Sequence, residues 1–137
     1  NRDFFALMGG RMGDACVLFV AEIEGRPIAS ALNLVGGEAL YGRYWGRVVD
    51  VPFLHFELCY YQAIELAIEL GLPRVEAGAQ GEHKLARGYT PVPTYSAHWI
   101  AEPALHDAVA RFLEAETPAV VHEAEVLSEH TPFKREE

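Results

Sequence analysis

Residues 53–70 read FLHFELCYYQAIELAIEL, and the placement of this stretch decides the fold. Its apolar residues recur at helical spacing, and a polar stripe runs through His55, Gln62, Glu65 and Glu69. Gly71 stands where a left-handed residue ends a helix, and Pro73 follows shortly after. The rest of the surface is apolar nearly all round, which predicts a mostly buried helix. What it connects sets the topology.

Upstream the pattern has period two. Residues 16–24, CVLFVAEIE, are rich in β-branched and aromatic side chains and predict a strand. Glu24-Gly25-Arg26-Pro27 has hairpin-turn chemistry, and 28–35, IASALNLV, is the return strand. Gly36-Gly37 turns the chain again into a third strand, 38–45, EALYGRYW. Residues 2–12 predict a short helix with Phe4, Phe5, Leu7 and Met8 on its apolar side. Downstream, 74–77 is a short strand. The loop GAQGEHKLARGY (78–89) follows, with one helical turn expected at EHKLARG. Residues 92–100, VPTYSAHWI, predict a further strand, with Pro91 and Pro93 marking a bulge or an edge at its start. Two helical stretches are expected at 104–114 and 119–128. An antiparallel meander, a crossover helix and a new strand make a mixed sheet with helices on both faces, an α+β fold.

A chain of 137 residues, half of them apolar, is expected to form a single domain with a real core, and 118–137 reads as an acidic tail segment. The chain opens with Asn1 directly in helix, which points to a piece of a longer protein. Net charge is −9, and residues 99–137 carry nine acids against three bases. That balance excludes a duplex-DNA binder, which needs a basic face. Cys16 and Cys59 sit in apolar runs and read as free thiols in a reducing, cytoplasmic compartment. No apolar run is long enough to span a membrane. No His, Cys, Asp and Glu cluster has metal-ligand spacing, so no metal is expected.

Chemistry concentrates in three places. Glu57 falls well over 90° from the Gln62-Glu65-Glu69 stripe on an ideal helix, and so on an apolar face. There it needs an ionic partner, such as Arg43 or Arg47, or it serves a ligand or a proton transfer. Arg43-Tyr44-Trp45 ends the third strand, with Arg43 and Trp45 expected on one face and Tyr44 on the other. The turn from there into the helix, GRVVDVP, is a place for an anion. In the glycine loop, Gly78, Gly81 and Gly88 permit positive φ, and Gln80, Glu82, His83, Lys84 and Arg87 are presented around them. His83 is a candidate general base, and Lys84 with Arg87 could clamp a phosphate or carboxylate. Glu76, at the end of the preceding strand, points to the same rim. His98 reads as a structural strand residue, and His55 as a surface residue near the helix start.

ALYGRYWG, followed by the block from FLHFELCYYQ through GAQGEHKLARGYTPVPTYSAHWI, resembles the C-terminal half of the FemAB-like predicted N-acyltransferases, labelled as peptidoglycan biosynthesis or recognition proteins of the acyl-CoA N-acyltransferase (GNAT) superfamily. The resemblance covers residues 2–100 and implies a GNAT-like three-layer fold, a second GNAT-like unit with which this one pairs, and transfer of an acyl or aminoacyl group to an amine. It implies acyl-CoA or aminoacyl-tRNA as donor, and a small-molecule or peptidoglycan-precursor amine as acceptor. Lys84 corresponds to the lysine-bearing loop of Fem-type enzymes. Glu57, Glu76 and Glu82, with His83, are the candidate proton acceptors; Arg43, Tyr44, Arg47, Gln80, Lys84 and Arg87 are the candidate binding residues. The alternative is a binding module that keeps the fold without catalysis and shapes a groove with a partner domain.

Overall fold

A computed structural model of the chain describes residues 1–78, 81–130 and 132–133, the side chain of Glu82 excepted. The chain forms two compact units, residues 1–80 and 81–137.

The first unit holds the sheet. Helix α1 (Arg2–Met12) starts at Asn1, whose Oδ1 accepts from the Phe4 N–H at 2.9 Å; Asp3 in its first turn and Arg11 in its last suit the helix dipole. Strands β1 (Cys16–Ile23), β2 (Arg26–Gly36) and β3 (Ala39–Arg47) form the expected antiparallel meander. The first turn takes positive φ at Glu24 (50°) and Gly25 (74°), the two-residue hairpin turn whose twist matches the strands. Strand β4 (Arg74–Glu76) lies beside β3 and parallel to it, so the sheet order is β1-β2-β3-β4. A parallel neighbour needs a crossover, and the 53–70 stretch supplies it.

That crossover is not one regular α-helix. A short α2 (Leu54–Phe56) passes into a π-helical segment (Glu57–Tyr61) and then α3 (Gln62–Glu69). Its end is as expected: Gly71 has φ 65°, its N–H reaches the Ile68 carbonyl at 3.1 Å, and the Leu72 N–H reaches that of Ala67 at 2.8 Å. Those two bonds are the Schellman cap. Only one face is buried, through Leu58, Tyr60, Ala63 and Ala67, while Ile68 is 74% exposed. The expectation of a mostly buried helix is therefore corrected.

Small residues let the helix approach the sheet. Ala29, Ala31 and Leu58 form the centre, with Phe19, Ala21, Trp45, Leu54 and Cys59 packed around them. The opposite face carries Leu34 and Tyr44 and receives α1, where Phe5 meets Tyr44 edge-on at 5.6 Å between ring centroids. Helices thus cover both faces of the sheet.

In the second unit, Glu82–Arg87 forms the expected helical turn, of 3-10 type. Residues 92–100 are not a strand: no ladder engages them, and Tyr95 and Trp99 are 94% and 88% exposed. Pro91 and Pro93 remove the two backbone donors that would start such a ladder. The helices expected at 104–114 and 119–128 are one helix, α4 (Pro103–Ser128), which runs through Pro118. No helix among the described residues is long and apolar enough to cross a membrane.

Candidate functional site

The site is built around an irregularity in β3. Asn33 of β2 pairs with Gly42 and Leu32 pairs with Tyr44, so Arg43 is an extra residue, a β-bulge. The bulge resets the alternation expected for this strand. Trp45 faces the helix-packed core, while Arg43 joins Tyr44 on the α1 side, its guanidinium 5.7 Å from the Tyr44 ring centroid. Arg43 and Tyr44 there border a cleft of about 280 Å³ that Phe4, Leu7, Met8 and Leu34 also line. One extra residue in a strand turns every later side chain over, which is why Arg43 and Trp45 do not share a face.

The ladder between β3 and β4 has three paired positions and ends at Tyr41↔Glu76. Beyond it β3 continues to Arg47 while β4 stops, so the two strands part in a fork at Gly42. Glu76 stands exposed at this fork. A Cβ placed on Gly42 would lie 3.6 Å from Asn33 Oδ1, 3.6 Å from the Glu76 carbonyl oxygen and 4.0 Å from Ala77 Cα. Asn33 itself is 1% exposed, and its Nδ2 has no hydrogen-bond partner among the described residues. The sequence reading passed over Asn33 and Gly42. The signal was there: an asparagine inside the otherwise apolar run IASALNLV is a buried polar group that asks for a partner.

Glu57 is not on an apolar face. It is exposed, and Gln62 Nε2 donates to its Oε1 at 2.9 Å and to Glu65 Oε2 at 3.3 Å. The π segment is the reason: its wider turn advances each residue by less than an α-helix does, and residues five apart come onto one side. The same advance brings His55 onto Tyr60, ring centroids 5.5 Å apart, and His55 also meets Trp45 edge-on at 5.3 Å. His55 is half-buried among aromatic rings, contrary to the surface position expected of it. Neither arginine named as a partner pairs with Glu57. Arg47 Nη1 bonds Asp50 Oδ1 across the turn into the crossover, and Arg43 lies over Tyr44.

The glycine loop belongs to the second unit from Gly81 onward, and is described by itself. Gly81 and Gly88 have φ of 105° and 88°, values that side chains resist. Between them His83 is exposed, and Arg87 Nη1 donates to its carbonyl oxygen at 2.6 Å, so part of the Arg87 fork closes the turn. Lys84 is half-buried, and burial lowers its pKa from the ordinary lysine value, because the charged form loses water. Gln80 and the side chain of Glu82 lie outside the described residues. His98 Nε2 stands 2.9 Å from Ser96 Oγ on irregular backbone rather than in a strand.

The structure thus gathers the Glu76 main-chain carbonyl with Gly42 and Asn33, Glu57 with Gln62 and Glu65, and Arg43 with Tyr44 in the first unit, and His83, Lys84 and Arg87 in the second. Comparison with curated proteins and with solved structures returned no match. The model of one protein family, described as peptidoglycan biosynthesis/recognition, matches residues 1–135, so the chain belongs to the FemAB-like family.

Proposed function

We propose that the chain is an N-acyltransferase that moves an acyl or aminoacyl group onto an amine of a peptidoglycan precursor, on a GNAT-like scaffold. Family membership supports the cell-wall substrate class. The observation that carries the chemistry is the fork between β3 and β4, where the ladder stops beside an exposed carboxylate, Glu76. Past the last rung, β3 runs on to Arg47 beyond the end of β4, and such a strand edge suits an extended, amide-bearing donor; this favours acyl-CoA or the acylated end of a charged tRNA.

In the reaction the amine nitrogen attacks the acyl carbon, the N–C bond forms, and the bond from that carbon to the donor's sulfur or ribose oxygen breaks. The amine proton passes to a carboxylate, and the leaving thiol or hydroxyl is protonated. Glu76 is the preferred base, because it stands at the fork, whereas Glu57 is engaged by the Gln62 carboxamide. Lys84 and Arg87, in the second unit, are the groups there suited to a phosphate. Both donor classes are cytoplasmic molecules, and the reaction is placed there.

The test supplies the chain with acetyl-CoA or alanyl-tRNA and a muramyl pentapeptide bearing a free side-chain amine, and follows amide formation by mass spectrometry. Glu76→Gln is expected to lower kcat by about a hundredfold. Lys84→Ala is expected to raise KM for the donor by about tenfold, equivalent to about 1.4 kcal/mol of binding. Binding without product from either donor would transfer the reading to a non-catalytic module.

A further inference from the structure

We propose that the Asn33 carboxamide receives the carbonyl oxygen of the transferred acyl group, in the niche that Gly42 leaves open at the fork. The proposal deepens the acyltransfer reading above and rests on it. Among the described residues Asn33 is the buried polar side chain, 1% exposed, in a strand whose other buried members are Ile28, Ala29 and Ala31. A buried amide kept for packing would satisfy its N–H on the neighbouring main chain; the Nδ2 of Asn33 has no such partner among the described residues. Unsatisfied buried donors are costly, and they persist where something other than the folded chain supplies the acceptor.

The place is specific. Asn33 is paired with Gly42, the residue just past the last β3–β4 rung and just before the bulge at Arg43. Gly42 does not have the positive φ that would demand a glycine, so its missing side chain answers to space rather than to backbone conformation. The volume a Cβ would take is bounded by the Asn33 carboxamide, the Glu76 carbonyl oxygen and Ala77 Cα. Gly42 itself is half-buried. The volume has room for a single heavy atom, such as a carbonyl oxygen. A half-turn of the Asn33 carboxamide exchanges its oxygen and nitrogen ends. An entering carbonyl oxygen would draw the N–H end toward it, and the bond would strengthen as negative charge grows on that oxygen during attack. Glu76, the preferred base, ends the strand whose carbonyl walls the same niche. The Tyr41↔Glu76 pairing puts the Glu76 side chain on the other face of the sheet from Asn33, so the Glu76 main chain borders the niche and its carboxylate stands across the strand end.

Two variants test this in the full chain with acetyl-CoA and alanyl-tRNA as donors. Asn33→Leu removes the N–H and keeps the bulk. Gly42→Ala fills the niche at distances of ordinary van der Waals contact, so it leaves the fold intact. Each is expected to lower kcat about a hundredfold with donor KM little changed. The melting temperature of Asn33→Leu should not fall, since an unsatisfied donor has been removed. In the wild-type chain labelled with ¹⁵N, the Asn33 side-chain amide resonances should move on addition of acetyl-CoA and stay in place with CoA, which lacks the acyl carbonyl. Turnover by the wild type with kcat preserved in both variants overturns the role of Asn33 and leaves the acyltransfer reading standing. Absence of turnover from either donor in the wild type removes that reading, and the assignment of Asn33 with it.

Discussion

Cys59 is a small group whose surroundings fix its chemistry. It packs on the alanine-lined centre of the core, and burial pushes its thiol from the ordinary 9.0 up to about 11. The neutral thiol is favoured in the folded chain, so the sign of the pH effect follows. Below about pH 9 the thiol is protonated in both states and its burial contribution is intact. Between 9 and about 11 the unfolded chain ionises first and stability declines as pH rises. Urea midpoints across that window should fall in the native chain and fall less in Cys59→Ser. Near neutral pH, alkylation of Cys59 by iodoacetamide should be at least about tenfold slower in the folded chain than in urea. Equal rates would mean that the thiol is reached by opening of the core. At this scale the sequence is eloquent about residue types and silent about direction. Glu57 was expected on an apolar face and Arg43 on the face of Trp45, and each is turned by one irregularity: the π segment for Glu57, the bulge for Arg43.

Elements divide in the same way. Turns and one helix end were legible because their chemistry is local. Glu24-Gly25 makes the hairpin turn and Gly71 closes the crossover, each recognised from one or two residues. The π segment was not legible, because FLHFELCYYQ carries the composition of an ordinary buried helix. Residues 92–100 alternate like a strand, yet a strand exists only beside a partner, and alternation does not supply one. Helix α4 makes a complementary point. Pro118 lies inside it and cannot donate to the Glu114 carbonyl, yet helix-favouring Ala115, Glu116 and Ala119 surround it. Pro118→Ala should stabilise α4 by up to about 3 kcal/mol. Circular dichroism should show increased helicity and a higher melting midpoint for this helix, whereas an unchanged spectrum would mean that tertiary packing already absorbs the missing bond.

At the scale of the molecule, the buried side chains among the described residues lie between Ile28 and Ala67, inside the first unit. The α+β class followed from the order of the elements and is what the structure has, because a helix between an antiparallel meander and a further strand leaves that strand few places to go. The separation at Gly81 was not legible, since the glycine loop reads equally well as a rim of one domain. Residues 1–80 expressed alone should keep a cooperative thermal transition and strand-rich dichroism. A featureless melt would mean that the second unit completes the core.

The short parallel ladder also sets an order in time. Each hairpin of the meander has eight paired positions and closes over a two-residue turn, so both are local and form early. The β3–β4 ladder has three and must wait for the whole crossover to be in place. It is therefore the last part of the sheet to zip and the first to unzip, and its amides exchange with solvent through small openings that leave the hairpins undisturbed. A ligand that bridges β3 and β4 would slow hydrogen exchange in that handful of amides and leave the meander's untouched, a footprint that marks the fork without any knowledge of what was bound.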